Sequence, residues 1–222
     1  MGSGSTWTQH LVNSAVCPGY QCNSKVQPEG FNKRYMDLLA LRKCHHMIEL
    51  CDHPGIEKII LLVRNPLDAL VANFNHKRVG RRSEVTDWST DSRLWQKFLD
   101  GDKLDQWKNI YASHLTQNTT CTPKPHTKTY LLRYENLKND LSGELRRLYE
   151  FLDVNISDNR FQEIMNDSEG CFHRKTSSKS VEKKSQNYSM NRFSPDKIKK
   201  LQRDEKLVND LLKKYKVENY DG

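Results

Sequence analysis

The sequence lacks a long apolar segment, and we recognise no targeting peptide in it. Its longest purely apolar run, residues 59–63, is far shorter than the about 20 residues of a membrane-spanning helix. This excludes a transmembrane segment within these residues. Apolar residues are also few, at 36% of the chain, but four Trp, nine Tyr and seven Phe supply bulky side chains for burial. A length of 222 residues therefore suits one domain with a full core.

Metal-binding patterns are lacking among the six cysteines, because no Cys-x-x-Cys pair occurs. This excludes the common structural zinc motifs. Cys17 and Cys22 could close a small disulfide loop in an oxidising compartment, and buried free thiols are the alternative. Four Asn-x-Ser/Thr sequons favour the secretory lumen. They lie at Asn118, Asn155, Asn166 and Asn187.

Acidic residues are fewer than basic ones: the chain has 28 Asp and Glu and 36 Lys and Arg, which gives a formal net charge of +8. A basic surface favours an anionic partner, such as a nucleotide, a sulfated glycan, nucleic acid or an anionic membrane. Much of the excess lies late in the chain, where a solvated helix face is the simpler explanation. Aromatic and basic residues are not interleaved as in RNA-binding modules, which argues against nucleic acid.

A segment rich in glycine and serine, residues 2–7, opens the chain ahead of an amphipathic run at 11–16. Small residues allow a tight turn whose N–H groups point at an anion, and the dipole of a following helix adds to the attraction. The segment lacks the lysine of the nucleotide-triphosphate loop. We interpret it as a phosphate loop, with a frayed terminus as the alternative.

A strand followed by a helix forms the clearest unit of the sequence. The apolar, β-branched run that ends at Val63 predicts a strand buried on both faces of a parallel sheet. Asn65 can cap the next helix and Pro66 suits its first position. Arg64 is therefore expected at the carboxyl end of a parallel strand beside a helix N-terminus, where open α/β sheets bind anions.

Further elements extend this pattern. Residues 128–133 predict a second strand, followed by a helix with leucines on one stripe. Residues 38–45 contain a third possible strand, and Pro195 opens a last helix. Between the units, Trp88, Trp95 and Trp107 mark a helical region and are more typical of packing than of an acceptor platform. Strands alternating with helices predict an α/β fold with a parallel sheet.

Three separated pieces resemble the sulfotransferases that use 3′-phosphoadenosine 5′-phosphosulfate (PAPS). They are the loop at 3–7, the strand–Arg64-Asn65-Pro66–helix unit and residues 132–137. Residues 172–175 and 193–195 are similar to later motifs of the family, and residues 70–75 look most like its WSC-domain-containing, Golgi carbohydrate-type members. The resemblance implies a P-loop NTPase-like parallel sheet flanked by helices, in a single sulfotransferase domain over residues 1–222.

The resemblance also implies roles for particular residues. The residues that would hold PAPS are Ser3, Gly4, Ser5, Thr6, Trp7, Arg64, Tyr134, Arg174 and Lys175. Among them, residues 3–6 would bind the 5′-phosphosulfate and Trp7 would pack on adenine, with Tyr134 nearby. Arg64 would clamp the 3′-phosphate, helped by residues 174–175.

The implied catalytic residues are His45, as general base, and Lys43, as a cation for the leaving group. An imidazole with a pKa near ~6.5 suits proton removal from a hydroxyl at neutral pH. His46 is adjacent, and on a strand the two rings would point to opposite faces. Glu49 and Glu135 are alternative bases, although Glu135 fits better as a structural residue that orients the loop after its strand.

Two positions depart from the pattern of many sulfotransferases. Gly2 stands where many carry a lysine that contacts the bridging oxygen, and Ala72 stands where many carry a serine on the 3′-phosphate. No strand precedes the loop, so we expect an N-terminally incomplete domain without its first strand, and any membrane anchor would lie upstream.

The sequence thus predicts transfer of a sulfuryl group from PAPS, without a metal, to a hydroxyl of a glycan or glycoprotein in the Golgi lumen. The first alternative is an inactive relative that binds a nucleotide or a sulfated glycan. A P-loop nucleotide kinase is a further alternative, against which the missing loop lysine argues.

Overall fold

The computed structural model describes residues 4–16, 56–79, 92–116, 127–170 and 190–214. The chain divides into two compact units. The first unit comprises residues 1–3, 45–135 and 174–222, and the second comprises residues 4–44 and 136–173. The possible strand at 38–45, Trp88 and all six cysteines lie outside the described residues. The expectation of a single domain over residues 1–222 stays a prediction.

Two parallel strands of the first unit form the sheet of the described residues. Strand β1 spans Lys58–Val63 and strand β2 spans Lys128–Arg133. Their register runs from Lys58 opposite Lys128 to Val63 opposite Arg133. Both predicted strands and their parallel direction are confirmed, and the carboxyl ends of the two strands lie side by side.

Strand β1 is less buried than its apolar run predicts. Leu61 and Val63 are buried, but Ile59, Ile60 and Leu62 are only half-buried. The prediction that β1 is buried on both faces is therefore too strong for these three side chains.

Helices account for most of the remaining described residues. In chain order they are α1 (Ser5–Val16), α2 (Pro66–Val79), α3 (Ser92–Leu99), α4 (Lys103–Thr116), α5 (Tyr134–Asn139), α6 (Leu141–Phe151), α7 (Asp158–Asn166), a 3₁₀ turn (Met190–Arg192) and α8 (Pro195–Lys214). The boundary between the two units falls within α5. The helices predicted after each strand and at Pro195 are confirmed.

Two apolar clusters form the core of the first unit. One joins both strands to α2, α4 and α8 through Leu61, Val63, Ala69, Trp107, Tyr111, Leu115, Leu131, Val208 and Leu212. The other joins α2, α3 and α8 through Leu67, Leu70, Val71, Phe74, Trp95, Leu99, Phe193 and Leu201. Trp95 and Trp107 are buried, and the Trp95 indole donates to the Arg192 carbonyl at 2.7 Å. These two tryptophans therefore pack in the core, as predicted.

Caps and apolar stripes explain the helices of the second unit. The Asp140 carboxylate accepts from the Gly143 N–H at 2.9 Å and Ser157 accepts from the Arg160 N–H at 3.3 Å, so each residue caps the helix that follows it. Leu145 and Leu148 of α6 are fully buried. Their spacing on one helical face is the stripe that the sequence predicts.

Polar contacts bind α1 to the rest of the second unit. The Tyr149 hydroxyl donates to the Leu11 carbonyl at 2.9 Å, and Arg160 donates to the Ser14 carbonyl at 2.7 Å. His10 is only 2% exposed, and its Nε2 lies 3.1 Å from the Asp167 carbonyl oxygen. The helix is thus held by its main chain as well as by its apolar side chains.

Gly170 closes against α1 in a conformation that favours glycine. Its φ is +52°, in the left-handed region, and a Cβ placed there would lie 2.6 Å from His10 Cε1 and Nε2. A side chain at this position would therefore strain the backbone and displace the imidazole. The contact requires glycine for two separate reasons.

We expect Gly170→Ala to destabilise the protein by about 1–3 kcal/mol, because it adds backbone strain and a clash. Chemical denaturation monitored by circular dichroism measures this loss. Gly101→Ala is the matched control: its added Cβ would meet only the Phe98 carbonyl oxygen, at 3.9 Å. Equal free-energy changes for the two variants would contradict the role assigned to Gly170.

Candidate functional site

The carboxyl edge of the sheet carries the candidate site of the first unit. Arg64 and Asn65 directly follow β1, and Tyr134 and Glu135 directly follow β2. Because Val63 pairs with Arg133, continuation of the register places these two dipeptides opposite each other. Side chains after parallel strands converge at this edge, as the sequence predicts for Arg64.

Asn65 begins helix α2. Its Oδ1 accepts from the Leu67 N–H at 3.0 Å and from the Asp68 N–H at 3.4 Å. Pro66 follows at the first helical position, where the missing N–H costs nothing. The predicted cap is confirmed, and it places the positive end of the α2 dipole beside Arg64.

Helix α4 fixes the main chain at the end of β1. The Trp107 indole donates to the Arg64 carbonyl at 3.0 Å, and the Tyr111 hydroxyl donates to the Leu62 carbonyl at 3.0 Å. Burial raises the pKa of Tyr111 well above the usual range of a phenol, which keeps its hydroxyl a hydrogen-bond donor. Two hydrogen bonds from α4 therefore anchor the strand end that carries Arg64.

The guanidinium of Arg64 lies on the ring of Tyr134, with Cζ 4.2 Å from the ring centroid. This distance is typical of a cation–π contact. Beside it, Glu135 Oε1 accepts from the Asn65 N–H at 2.8 Å. Glu135 thus makes a structural contact, but with the residue after β1 rather than with the turn after its own strand. Arg64 and Tyr134 are two predicted ligands that the structure brings together.

Polar residues that the sequence does not single out complete this edge. Arg133 donates to Asn209 of α8 at 3.0 Å. Glu205, also on α8, is half-buried, and burial raises its pKa. The Glu135 charge adds to that rise, while Arg133 and the Asn65 side chain oppose it. Glu205 lies within a helix rich in charged residues, so no local sequence pattern indicates that this side chain lies at the edge of the sheet.

Residues 4–7, which the sequence predicts to belong to a phosphate loop, lie in the second unit. Gly4 has a φ of +92°, and its carbonyl accepts from the Thr8 N–H at 3.0 Å, so it leads directly into α1. The loop residues 5–7 therefore form the first turn of that helix, where backbone N–H groups favour an anion. The Trp7 indole donates to the Ser168 carbonyl at 2.8 Å, which fixes one edge of the ring.

The remaining predicted residues lie outside the described part of the chain. These residues are Ser3, Lys43, His45, Arg174 and Lys175. Glu49 lies outside it as well. Their assigned roles stay predictions.

Two further properties concern only the described residues. No group of three or more His, Cys, Asp or Glu side chains there is arranged to hold a metal ion. None of the described helices combines the length and apolarity needed to cross a membrane.

Comparison with known proteins identifies similar chains. The sulfotransferase domain model matches residues 55–206. A WSCD family member of Drosophila melanogaster is 28% identical over 184 residues, which cover 78% of this chain and 55% of that protein. The amine sulfotransferase of Oryctolagus cuniculus is 22% identical over 178 residues, covering 73% and 57%.

The luciferin sulfotransferase of Photinus pyralis is also similar, with 26% identity over 113 residues, 49% of this chain and 27% of that protein. The chain spans about half the length of the WSCD relatives it matches. No solved structure gives a significant match.

We expect Glu205→Gln to raise the melting temperature more at about pH 7 than at about pH 4. The raised pKa means that the folded state binds this proton more tightly than the unfolded state, so stability falls as pH rises through the interval between the two pKa values. The neutral amide of Gln avoids this loss of stability at neutral pH. At acidic pH the wild-type carboxyl is already protonated, so the substitution changes the stability less.

Thermal unfolding monitored by circular dichroism at both pH values measures the difference. Asp210→Asn removes one negative charge from an exposed position of the same helix and serves as the control. A gain for Glu205→Gln that is equal at both pH values would refute the expectation.

Proposed function

The chain belongs to the sulfotransferase family, and from that premise we propose that it transfers a sulfuryl group from PAPS to a hydroxyl of a glycan or glycoprotein. Family membership supports sulfuryl transfer in general, from a nucleotide donor to an acceptor. PAPS as the donor and a glycan as the acceptor are the specific parts of the proposal.

The arrangement around Arg64 is the observation that carries this proposal. A guanidinium stands at the carboxyl edge of a parallel sheet, beside the N-terminus of α2 and against the ring of Tyr134. A planar guanidinium can donate two parallel hydrogen bonds to a terminal phosphate, which a lysine cannot do. We assign the 3′-phosphate of the nucleotide to Arg64, with residues 174–175 as further ligands.

The N-terminus of α1 supports a second anion contact. Residues 3–6 would bind the 5′-phosphosulfate through backbone N–H groups and hydroxyls, and Trp7 would pack on the adenine. Gly4 has the positive φ that a tight turn into a helix requires.

The proposed reaction is an in-line displacement at sulfur. The acceptor oxygen forms a bond to sulfur while the bond from sulfur to the 5′-phosphate oxygen breaks, releasing 3′-phosphoadenosine 5′-phosphate. His45 would take the proton of the acceptor hydroxyl, and Lys43 would stabilise the negative charge on the leaving oxygen. The N–H groups and cations of this scheme carry the charge stabilisation, so it uses no metal ion.

We propose the Golgi lumen as the place of the reaction, because residues 70–75 resemble those of Golgi carbohydrate-type sulfotransferases and the chain carries four sequons. Two of the four sequon asparagines, Asn155 and Asn166, are described, and both are exposed. Exposure is what a glycan attached at either position requires.

Binding without transfer is the second candidate. Gly2 stands where many sulfotransferases have a lysine, and Ala72 stands where many have a serine. The expected site therefore has one cation and one hydroxyl fewer. An assay that measures transfer of labelled sulfate to the glycans of an array separates an enzyme from an inactive nucleotide-binding relative. His45→Ala is the variant compared with the wild-type protein.

We expect the protein to bind 3′-phosphoadenosine 5′-phosphate more tightly than adenosine 5′-phosphate, and Arg64→Ala to abolish most of this preference. Loss of a charge-assisted, bidentate contact costs about 1.5–3 kcal/mol, or roughly tenfold to 150-fold in affinity. Isothermal titration calorimetry with both nucleotides measures the ratio.

Arg203→Ala is the matched control, because it removes an exposed arginine of α8 and should leave the preference intact. Equal affinity of the wild-type protein for both nucleotides would overturn the proposed function.

A further inference from the structure

The residues after β1 and β2 make two contacts in the register of the strands. Arg64 meets Tyr134, and Asn65 meets Glu135, one and two residues beyond the paired Val63 and Arg133. The first contact involves the side chain of Arg64 and the second involves its main chain. Together the two contacts determine the position of the main chain at Arg64 and the position of its guanidinium.

The peptide group between Arg64 and Asn65 is held at both of its polar atoms. Its carbonyl oxygen, on Arg64, accepts from the Trp107 indole at 3.0 Å. Its N–H, on Asn65, donates to Glu135 Oε1 at 2.8 Å. Because an ionised acceptor makes a stronger hydrogen bond than a neutral one, the Glu135 carboxylate is well suited to prevent rotation of this peptide.

The Tyr134 ring contacts the guanidinium, at the far end of the Arg64 side chain. An arginine side chain has several rotatable bonds, and fixing them before a ligand arrives reduces the entropy lost on binding. The ring lies at the start of α5, so its own backbone is placed by the turn from β2 into that helix. Stacking uses the face of the guanidinium, whereas the N–H donors lie in its plane. The ring can therefore support Arg64 while the same group donates to a phosphate.

We propose that Tyr134 and Glu135 are positioning residues for Arg64, holding its main chain and guanidinium in place to receive a terminal phosphate. This inference rests on the proposed function, which assigns the 3′-phosphate of the nucleotide to Arg64. It changes the role of Tyr134 from a neighbour of the adenine to a support for the arginine.

The test compares the binding of two nucleotides to a set of variants of this chain. Isothermal titration calorimetry gives the affinity ratio of 3′-phosphoadenosine 5′-phosphate to adenosine 5′-phosphate, which reports the 3′-phosphate contact alone. The variants are Tyr134→Leu and Tyr134→Phe, Glu135→Ala and Glu135→Gln, each also combined with Arg64→Ala. Val208→Ala is the control for stability, because it removes buried methyl groups from α8 in the core.

We expect Tyr134→Leu and Glu135→Ala each to lower the ratio about threefold to tenfold, the size of a lost cation–π contact or hydrogen bond. Tyr134→Phe keeps a ring face and should retain more of the affinity ratio than Tyr134→Leu. Glu135→Gln keeps an acceptor and should retain more of it than Glu135→Ala. With Arg64→Ala already present, none of the four changes should lower the ratio further, because all act through that arginine. Val208→Ala should lower the melting temperature without changing the ratio.

Three results would overturn the inference. An unchanged ratio in Tyr134→Leu, with both nucleotides weakened equally, would place the ring on the adenine instead. A further loss in the Arg64→Ala background would show that the residues act independently of Arg64. A lowered ratio in Val208→Ala would show that general destabilisation is sufficient. If the wild-type protein does not prefer the 3′-phosphate, the proposed function itself fails, which is a distinct outcome.

A measurement on the wild-type protein covers the case in which a variant does not fold. A guanidinium over a ring face experiences the ring current, so the Arg64 Nε–Hε resonance should lie upfield of those of exposed arginines in a nitrogen-15 spectrum. Arg64→Lys assigns the resonance by removing it. An Arg64 resonance at the position of the exposed arginines would overturn the role of Tyr134.

Discussion

Parallel pairing of β1 with β2 brings two strand ends together, and the contacts around Arg64 depend on it. Because Val63 pairs with Arg133, the residues that follow emerge in step, and Tyr134 reaches the Arg64 side chain while Glu135 reaches the Asn65 N–H. A shift of the register by one residue would reverse which side chains face each other and break both contacts. The apolar cluster that packs on the strands includes Trp107 and Tyr111, which also hold the end of β1, and so the arrangement of the site depends on this packing.

Charge at this edge is mixed, although the whole chain is basic. Arg64 and Arg133 share the edge with Glu135 and with Glu205, whose pKa is raised by burial and by the Glu135 charge. Under the proposed function, an incoming phosphate would meet carboxylates as well as guanidinium groups. Its affinity would then depend on how Arg64 is oriented more than on the net charge of +8, which reflects the excess of lysine and arginine along the whole sequence.

The second unit holds helix α1 by a different means. Side chains from outside α1 donate to its carbonyl groups, as Tyr149 and Arg160 do, and the Trp7 indole donates to Ser168. Contacts to main-chain oxygens resist sliding of the helix along its axis, which apolar packing alone permits more readily. The proposed phosphate loop would gain from this, because its N–H groups are useful only while they remain aimed at one point.

Local sequence determined much of the fold that the structure describes. The apolar runs, the Asn65 cap and the leucine stripe of α6 each follow from neighbouring residues, since hydrogen bonding and burial within one element decide them. The strand end at Arg64 was predictable for the same reason. Only the tertiary structure decided that Tyr134 lies against Arg64, that Glu135 binds the Asn65 N–H and that Glu205 joins this edge. Those contacts connect residues about 70 positions or more apart, and their geometry depends on strand register and on the packing of α8, which no local pattern encodes.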